Sequence, residues 1–239
     1  MLIDQVEIPI HSKWSRIGIS VSGGADSALL AYLICSNTDA DIIITNQIRC
    51  WKTRPWQEYV ADTVISYLQS KFSNIKYVEK NFIPPDLEWG RNGPNIIDEY
   101  GKLKSGNQII LRSFNEYIGH KYNLDAWFAA INKNPSIDIP GALEDRNQGH
   151  VSPAMTHMGI SVYHPFVHIM KDWIIKQYYN LKIEGLLALT RSCEGDKIDY
   201  PHIFNDLDYT TYTPGQIVPT CGECFWCKER EWGIEQATK

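Results

Sequence analysis

Residues 16–35 read RIGISVSGGADSALLAYLIC, and the fold turns on how that stretch divides. Arg16–Val21 is a short apolar run that stops at two glycines, as a buried strand would. Asp26–Cys35 is apolar nearly all round, the pattern of a helix packed against a sheet. The residues between them are too flexible and too polar for a plain buried turn. Gly23 and Gly24 lack a Cβ, so the backbone can turn sharply and bring its N–H groups close to a ligand. Those groups, with the start of the following helix, form a positive site suited to phosphate. Ser22 and Ser27 add hydroxyl donors, and Asp26 can hold a Mg²⁺ ion bound to the phosphate. The stretch therefore predicts a strand, a pyrophosphate-gripping loop and a helix, in that order.

The flanking sequence extends the alternation. Asp41–Asn46 (DIIITN) is continuous and β-branched, which predicts a parallel strand covered on both faces. Residues 55–72 open with proline, favoured at the first helical position, and set Val60, Val64 and Leu68 on one stripe. Ile75–Lys80 reads as a third strand. Strands alternating with helices imply βαβ units and a largely parallel sheet, whose ligands bind at the carboxyl ends of the strands. Asn81–Ser105, rich in Pro, Gly and charge, reads as a lid or binding loop. Residues 107–122 carry Ile110, Phe114, Tyr117 and Ile118 at helical spacing, and Leu124–Ile131 reads as a further strand. Asn132–Tyr163 reads as irregular, and the later part of 164–181 as helix. Residues 1–190 thus form an α/β domain, and 191–239 a segment defined by cysteines.

A chain of 239 residues buries enough surface to fold without disulfides. No apolar run reaches the length of a membrane span, and the N-terminus MLIDQVEIPIHSKW lacks the basic start of a secretory signal. The expected compartment is the cytoplasm, where thiols stay reduced. A formal net charge of −5 argues against generic nucleic-acid binding. The aromatic residues are scattered, as core and pocket walls are.

In TCGECFWCKERE, residues 220–231, Cys221, Cys224 and Cys227 recur at three-residue intervals around Gly222. Such a knuckle turns its sulfurs onto one metal, and a closed tetrahedral zinc site needs a fourth ligand, for which Cys193 is the candidate. Four thiolates leave no open coordination position, so the zinc would be structural. The same spacing also suits an iron–sulfur cluster. Disulfides and unliganded thiols are the remaining alternatives. Cys35 falls in the apolar helix and reads as core.

The glycine loop fits neither the G-x-x-x-x-G-K-[ST] phosphate loop nor the G-x-G-x-x-G dinucleotide fingerprint. Ser22-Gly23-Gly24-Ala25-Asp26-Ser27 does match S-G-G-x-D-S, and so resembles the PP-loop of the ATP pyrophosphatase superfamily. That resemblance implies cleavage of ATP between its α and β phosphates to adenylate a substrate. Together with the cysteine tail, HPFVHIMKDWI (164–174) and LTRSCEG (189–195) make the chain resemble the 7-cyano-7-deazaguanine synthase family. The fold this implies is Rossmann-like, of the adenine nucleotide alpha hydrolase-like type. It has a parallel sheet with helices on both faces and a small C-terminal zinc-binding zone.

By the same resemblance, ATP is bound along Val21, Ser22, Gly23, Gly24, Ala25, Asp26, Ser27, Ala28, Leu29, Leu30 and Ala31. Asp26, Ser27 and Lys171 would be catalytic, with Lys171 facing the nucleotide phosphates or the acyl-adenylate. Cys193, Cys221, Cys224 and Cys227 would hold Zn²⁺, and ATP would bring Mg²⁺. The implied ligase joins ammonia to the carboxylate of 7-carboxy-7-deazaguanine, and a second ATP drives dehydration of the amide to the nitrile. Family members pair, so a homodimer is also implied.

From Asn132 to Asn147 the chain departs from the family pattern, which leaves two alternatives open. One is a PP-loop enzyme acting on another purine-like molecule or nucleic-acid base. The other is a phosphoadenosine phosphosulfate reductase-like protein, disfavoured by the lack of that family's C-terminal cysteine motif. A zinc-bearing nucleic-acid module is disfavoured by the acidic balance. Asp145, Arg146 and Asn147 either face a polar heterocycle or lie in a solvated loop. His157 and His164 are proton-transfer candidates or structural hydrogen-bonders, and Arg49 and Cys50 are candidates for an adenosine pocket.

Overall fold

The alternation becomes a six-stranded sheet in the computed structural model, which describes residues 1–4, 6–48, 56–82, 95–97, 103–142, 152–157, 159–195, 200–204 and 219–239. A short antiparallel pair, β1 (Leu2–Ile3) and β2 (Val6–Glu7), leads into β3 (Arg16–Ser20), α1 (Ala25–Cys35), β4 (Asp41–Ile48), α2 (Gln57–Lys71) and β5 (Ile75–Phe82). A second small pair, β6 (Asn95–Ile97) and β7 (Leu103–Ser105), precedes α3 (Gly106–Tyr122) and β8 (Ala126–Phe128). There follow β9 (Ala154–His157), β10 (Ile160–Tyr163), α4 (Lys171–Asn180), α5 (Glu184–Leu189), α6 (Pro201–Phe204) and α7 (Phe225–Ala237).

The sheet order is β5-β4-β3-β8-β10-β9. Every pairing is parallel except that of β9 with β10. This is an α/β, Rossmann-like arrangement. The chain builds outward from β3 to β5, then returns to the opposite side of β3 as β8. Strand order reverses at that point, so a crevice opens at the carboxyl ends of β3 and β8. The glycine loop leaves β3 there.

Alternation along the strands explains why helices cover both faces. Ile17, Ile19, Ile42, Ile44 and Phe128 share one face with Leu29 and Leu33 of α1, Val64 and Leu68 of α2, and Ile174 of α4. Ile43 and Trp127 point the other way, against Phe114 and Ile118 of α3 and Ile160 of β10. Only Asp26 and Tyr32 of α1 escape burial, since sheet and helices enclose it. Each fully buried leucine there stabilises by about 1.5–3 kcal/mol.

On the second face the Trp127 indole lies over Gly18. A Cβ at Gly18 would stand 2.6 Å from both the Trp127 ring and Leu124 Cδ1. Gly18→Ala is therefore expected to cost about 1–3 kcal/mol by overpacking, read as a lower urea midpoint with an unchanged slope.

Two expectations change. The strand read at Leu124–Ile131 spans only Ala126–Phe128. Asn132–Tyr163 is not irregular throughout, because it holds β9 and β10, and β10 is a parallel neighbour of β8. Each of these strands is four residues long, too short for alternation to stand out. Arg49, Cys50, Asp145, Arg146, Asn147, the His157 side chain and most of 83–102 lie outside the described residues. Among the described residues no helix is long and apolar enough to cross a membrane.

The C-terminal segment packs on the α/β body. α7 lies along α4, and Cys193, Cys221 and Cys224 share an apolar cluster with Trp56, Val60 and Phe204.

Candidate functional site

The two loop glycines do different things. Gly23 has φ +83°, and a Cβ there would stand 2.9 Å from Ala61 N and Val60 Cγ1 of α2. Only glycine fits both the backbone angle and the approach. Gly24, at φ −77° and ψ 158°, is ordinary extended backbone and forms the N-cap of α1. No side chain caps that end, so first-turn N–H groups of α1 remain for a ligand. The Ser27 hydroxyl, expected to meet phosphate, instead closes the loop. It accepts from Ser22 N–H at 3.1 Å and donates to Gly24 O at 3.1 Å.

Asp26 faces a lysine 145 residues further along the chain. Lys171 opens α4 with its side chain only 2% exposed, and its Nζ donates to both Asp26 carboxylate oxygens at 2.6 Å. On the other side, Nζ lies 3.6 Å from Oε2 of Glu229, which is 1% exposed. Glu229 Oε1 accepts a hydrogen bond from Asn132 Nδ2 at 3.1 Å. Such pairing offsets the cost of taking an ammonium group this far out of water. Two further contacts fix the group. Tyr178 donates to Ala25 O at 2.6 Å, its phenol pushed far up by burial. The Gly233 backbone of α7 lies against the Lys171 stem, where a Cβ would come within 2.7 Å of Lys171 Cγ.

Asp26, Asn132, Lys171 and Glu229 line one cleft of about 340 Å³, together with Ser22, Gly24, Gln57, Arg191 and Trp226. The structure thus gathers the expected Asp26 and Lys171 at the mouth of the glycine loop. It also adds Glu229, Asn132 and Arg191, which sequence reasoning missed. Glu229 carried a legible signal, because it lies on the same helical stripe as the buried Phe225, Trp232 and Gly233.

Other expected residues serve elsewhere. Val21, Ala25, Ala28, Leu29, Leu30 and Ala31 are 0–1% exposed in the core, and none lines the cleft. Their side chains pack in the core beneath the loop. His164 is buried away from the cleft with Nδ1 2.9 Å from Ser152 O, and burial lowers its pKa.

Arg191 joins the loop to the cysteines. Its backbone N–H donates to Gly23 O at 3.0 Å, and its guanidinium stacks 4.0 Å from the Trp56 ring centre. NH1 donates to Cys193 O at 2.6 Å, and NH2 to Pro219 O at 2.6 Å. Burial pulls its pKa down to about 10, so the side chain stays a cation near neutrality.

The Sγ atoms of Cys193, Cys221, Cys224 and Cys227 all lie within 4.8 Å of one another. Cys193 to Cys221 is 3.5 Å and Cys221 to Cys227 is 3.9 Å. Metal–sulfur bonds of 2.3 Å at tetrahedral angles put sulfurs about 3.8 Å apart. Backbone N–H groups of Gly195 and Cys221 donate to Cys193 Sγ, each at 3.3 Å, as they would to a thiolate ligand. All four cysteines are free thiols. Hydrogen bonds from Cys193 and Cys227 pull the Cys224 thiol down, while the same crowding pushes Cys227 up. Four thiols this close ionise together only around a cation, so the group could hold one metal ion.

No protein-family model matches the chain, and no curated protein matches it.

Proposed function

We propose that the protein is an ATP-dependent, AMP-forming carbon–nitrogen ligase. It would adenylate the carboxylate of 7-carboxy-7-deazaguanine, aminate it with ammonia, and carry the amide on to 7-cyano-7-deazaguanine. The observation that carries this reading is the S-G-G-x-D-S loop at the switch-point crevice, with Asp26 clamped by buried Lys171 in one cleft.

The residues divide the work by charge. The loop and the N-terminus of α1 take the pyrophosphate portion of ATP. Lys171 supplies a cation and Asp26 a carboxylate for Mg²⁺, so metal and phosphate charge meet opposite partners. A substrate carboxylate oxygen attacks the α-phosphorus and pyrophosphate leaves, giving the acyl-adenylate. Ammonia then attacks the carbonyl carbon, losing a proton as AMP departs with the former carboxylate oxygen. The amide oxygen attacks the α-phosphorus of a second ATP and displaces pyrophosphate, and loss of AMP and protons from the resulting adenylated imidate leaves the nitrile. Lys171 and the helix terminus stabilise the charge that develops on phosphate in each adenylation. The four cysteines would hold Zn²⁺, whose four thiolates close its coordination and make it structural. A cluster is disfavoured because a 4.8 Å span between sulfurs leaves room for a single ion. The reaction belongs in the cytoplasm, where thiols such as these persist.

The test is mass spectrometry of the protein incubated with ATP, Mg²⁺, ammonium and 7-carboxy-7-deazaguanine, beside Asp26→Ala. The nitrile and AMP are expected, with turnover reduced about 10²–10³-fold in the variant. Neither product, in a protein that still binds ATP, would refute this substrate. It would point instead to another purine-like molecule or nucleic-acid base on the same loop.

A further inference from the structure

Two of the contacts that hold the glycine loop run to residues beside the cysteines. The first is Arg191, two residues before Cys193. Its backbone N–H bonds Gly23 O at 3.0 Å, while its guanidinium donates to the carbonyls of Cys193 and Pro219 at 2.6 Å each. The second is Glu229, two residues after Cys227. It stands 3.6 Å from Lys171 Nζ, which in turn holds Asp26 at 2.6 Å. Gly23 and Asp26 are the sharp turn of the loop and the first turn of α1, the two places that set where its N–H groups point. Pro219, two residues before Cys221, braces Arg191, and Arg230, next to Glu229, donates to Thr190 Oγ1, next to Arg191, at 2.8 Å, so the two holds and the cysteine segments form one connected unit.

We propose that the metal ion bound by Cys193, Cys221, Cys224 and Cys227 positions the phosphate loop, with Arg191 and Glu229 as the positioning residues that carry the effect. This rests on the metal reading of the cysteines and is independent of which substrate the cleft takes. Without the ion, the four sulfurs have no common centre. The Cys193 and Cys221–Cys227 segments then separate, Arg191 loses its grip on one side and Glu229 shifts on the other. The loop is freed although no ligand atom of the metal touches it.

Hydrogen–deuterium exchange followed by mass spectrometry reads this without nucleotide. The full-length protein is compared loaded with Zn²⁺, stripped by a chelator, and resupplied with Zn²⁺. Exchange in a peptide covering Val21–Ala31 is expected to rise by about an order of magnitude on stripping and to return on resupply. A peptide covering Ile75–Phe82, at the far edge of the sheet, should stay protected. Glu229→Gln and Arg191→Ala, checked to retain one zinc per chain, should each raise exchange in the loop while zinc is bound. Unchanged loop exchange in stripped protein whose cysteine segment has opened would overturn the proposal. Should stripping unfold the whole chain, the loaded variants decide: a rise confined to the loop supports it, and no rise overturns it. A positive result in protein that fails to bind ATP would leave the coupling standing and refute the ligase reading instead.

Discussion

In the ligase proposed above, Lys171→Met is expected to abolish adenylation and to remove a large share of the protein's stability. Methionine keeps most of the stem that packs against Gly233 but takes away the charge between two carboxylates. Glu229, 1% exposed, and Asp26 would then face each other with no cation between them. Removing one member of a buried ion pair costs about 3–5 kcal/mol, because the charge left behind stays out of water. Domains are stable by only about 5–15 kcal/mol, so urea denaturation should show a much lower midpoint. The double variant Lys171→Met/Glu229→Gln separates the two roles of the lysine. It should recover part of the stability, since the stranded charge is gone, and none of the adenylation. The two sites are in contact, so their effects should be non-additive. AMP formation at the wild-type rate in the single variant would remove Lys171 from the mechanism.

Cys224→Ser is the second large effect. Serine is a poor ligand beside three thiolates, and structural zinc contributes about 10–16 kcal/mol of apparent folding free energy in isolated metal-binding peptides. Here α7 is also held by its packing along α4, so the expected loss is several kcal/mol and not the whole of that figure. Atomic emission should find zinc missing from the variant, and thermal melting should show an earlier transition. Cys35→Ser serves as the control. Cys35 is buried in α1, where desolvation pushes its thiol up to about 12, far from any thiolate role. It should retain the metal in full. Equal zinc content and equal melting in Cys224→Ser would sink the metal site.

The strand, glycine turn and helix of residues 16–35 were legible because each depends on neighbours a few positions away. Steric freedom at Gly23, apolar continuity in α1 and β-branching in β4 are local properties, and the parallel sheet follows from their alternation. The cysteine knuckle was legible for the same reason, with three of its sulfurs within seven residues. Ser27 shows the limit of local reading. A hydroxyl beside a phosphate loop has the right chemistry for phosphate, yet in the folded loop it is engaged by Ser22 and Gly24.

What the sequence determined by itself is the α/β alternation, the glycine-rich turn at the end of β3 and a set of cysteines in the tail that could hold a metal. What only the tertiary structure decided is how these meet. It placed β10 beside β8, joined Asp26 to Lys171 across 145 residues, and set Glu229 against that pair from a helix of the tail. The physical reason is that turn and helix preferences act over a few bonds, whereas the state of a buried charge depends on what packs next to it. Glu229 lies on an otherwise apolar stripe of α7, and that position has a purpose only because the first residue of α4 brings a lysine to it.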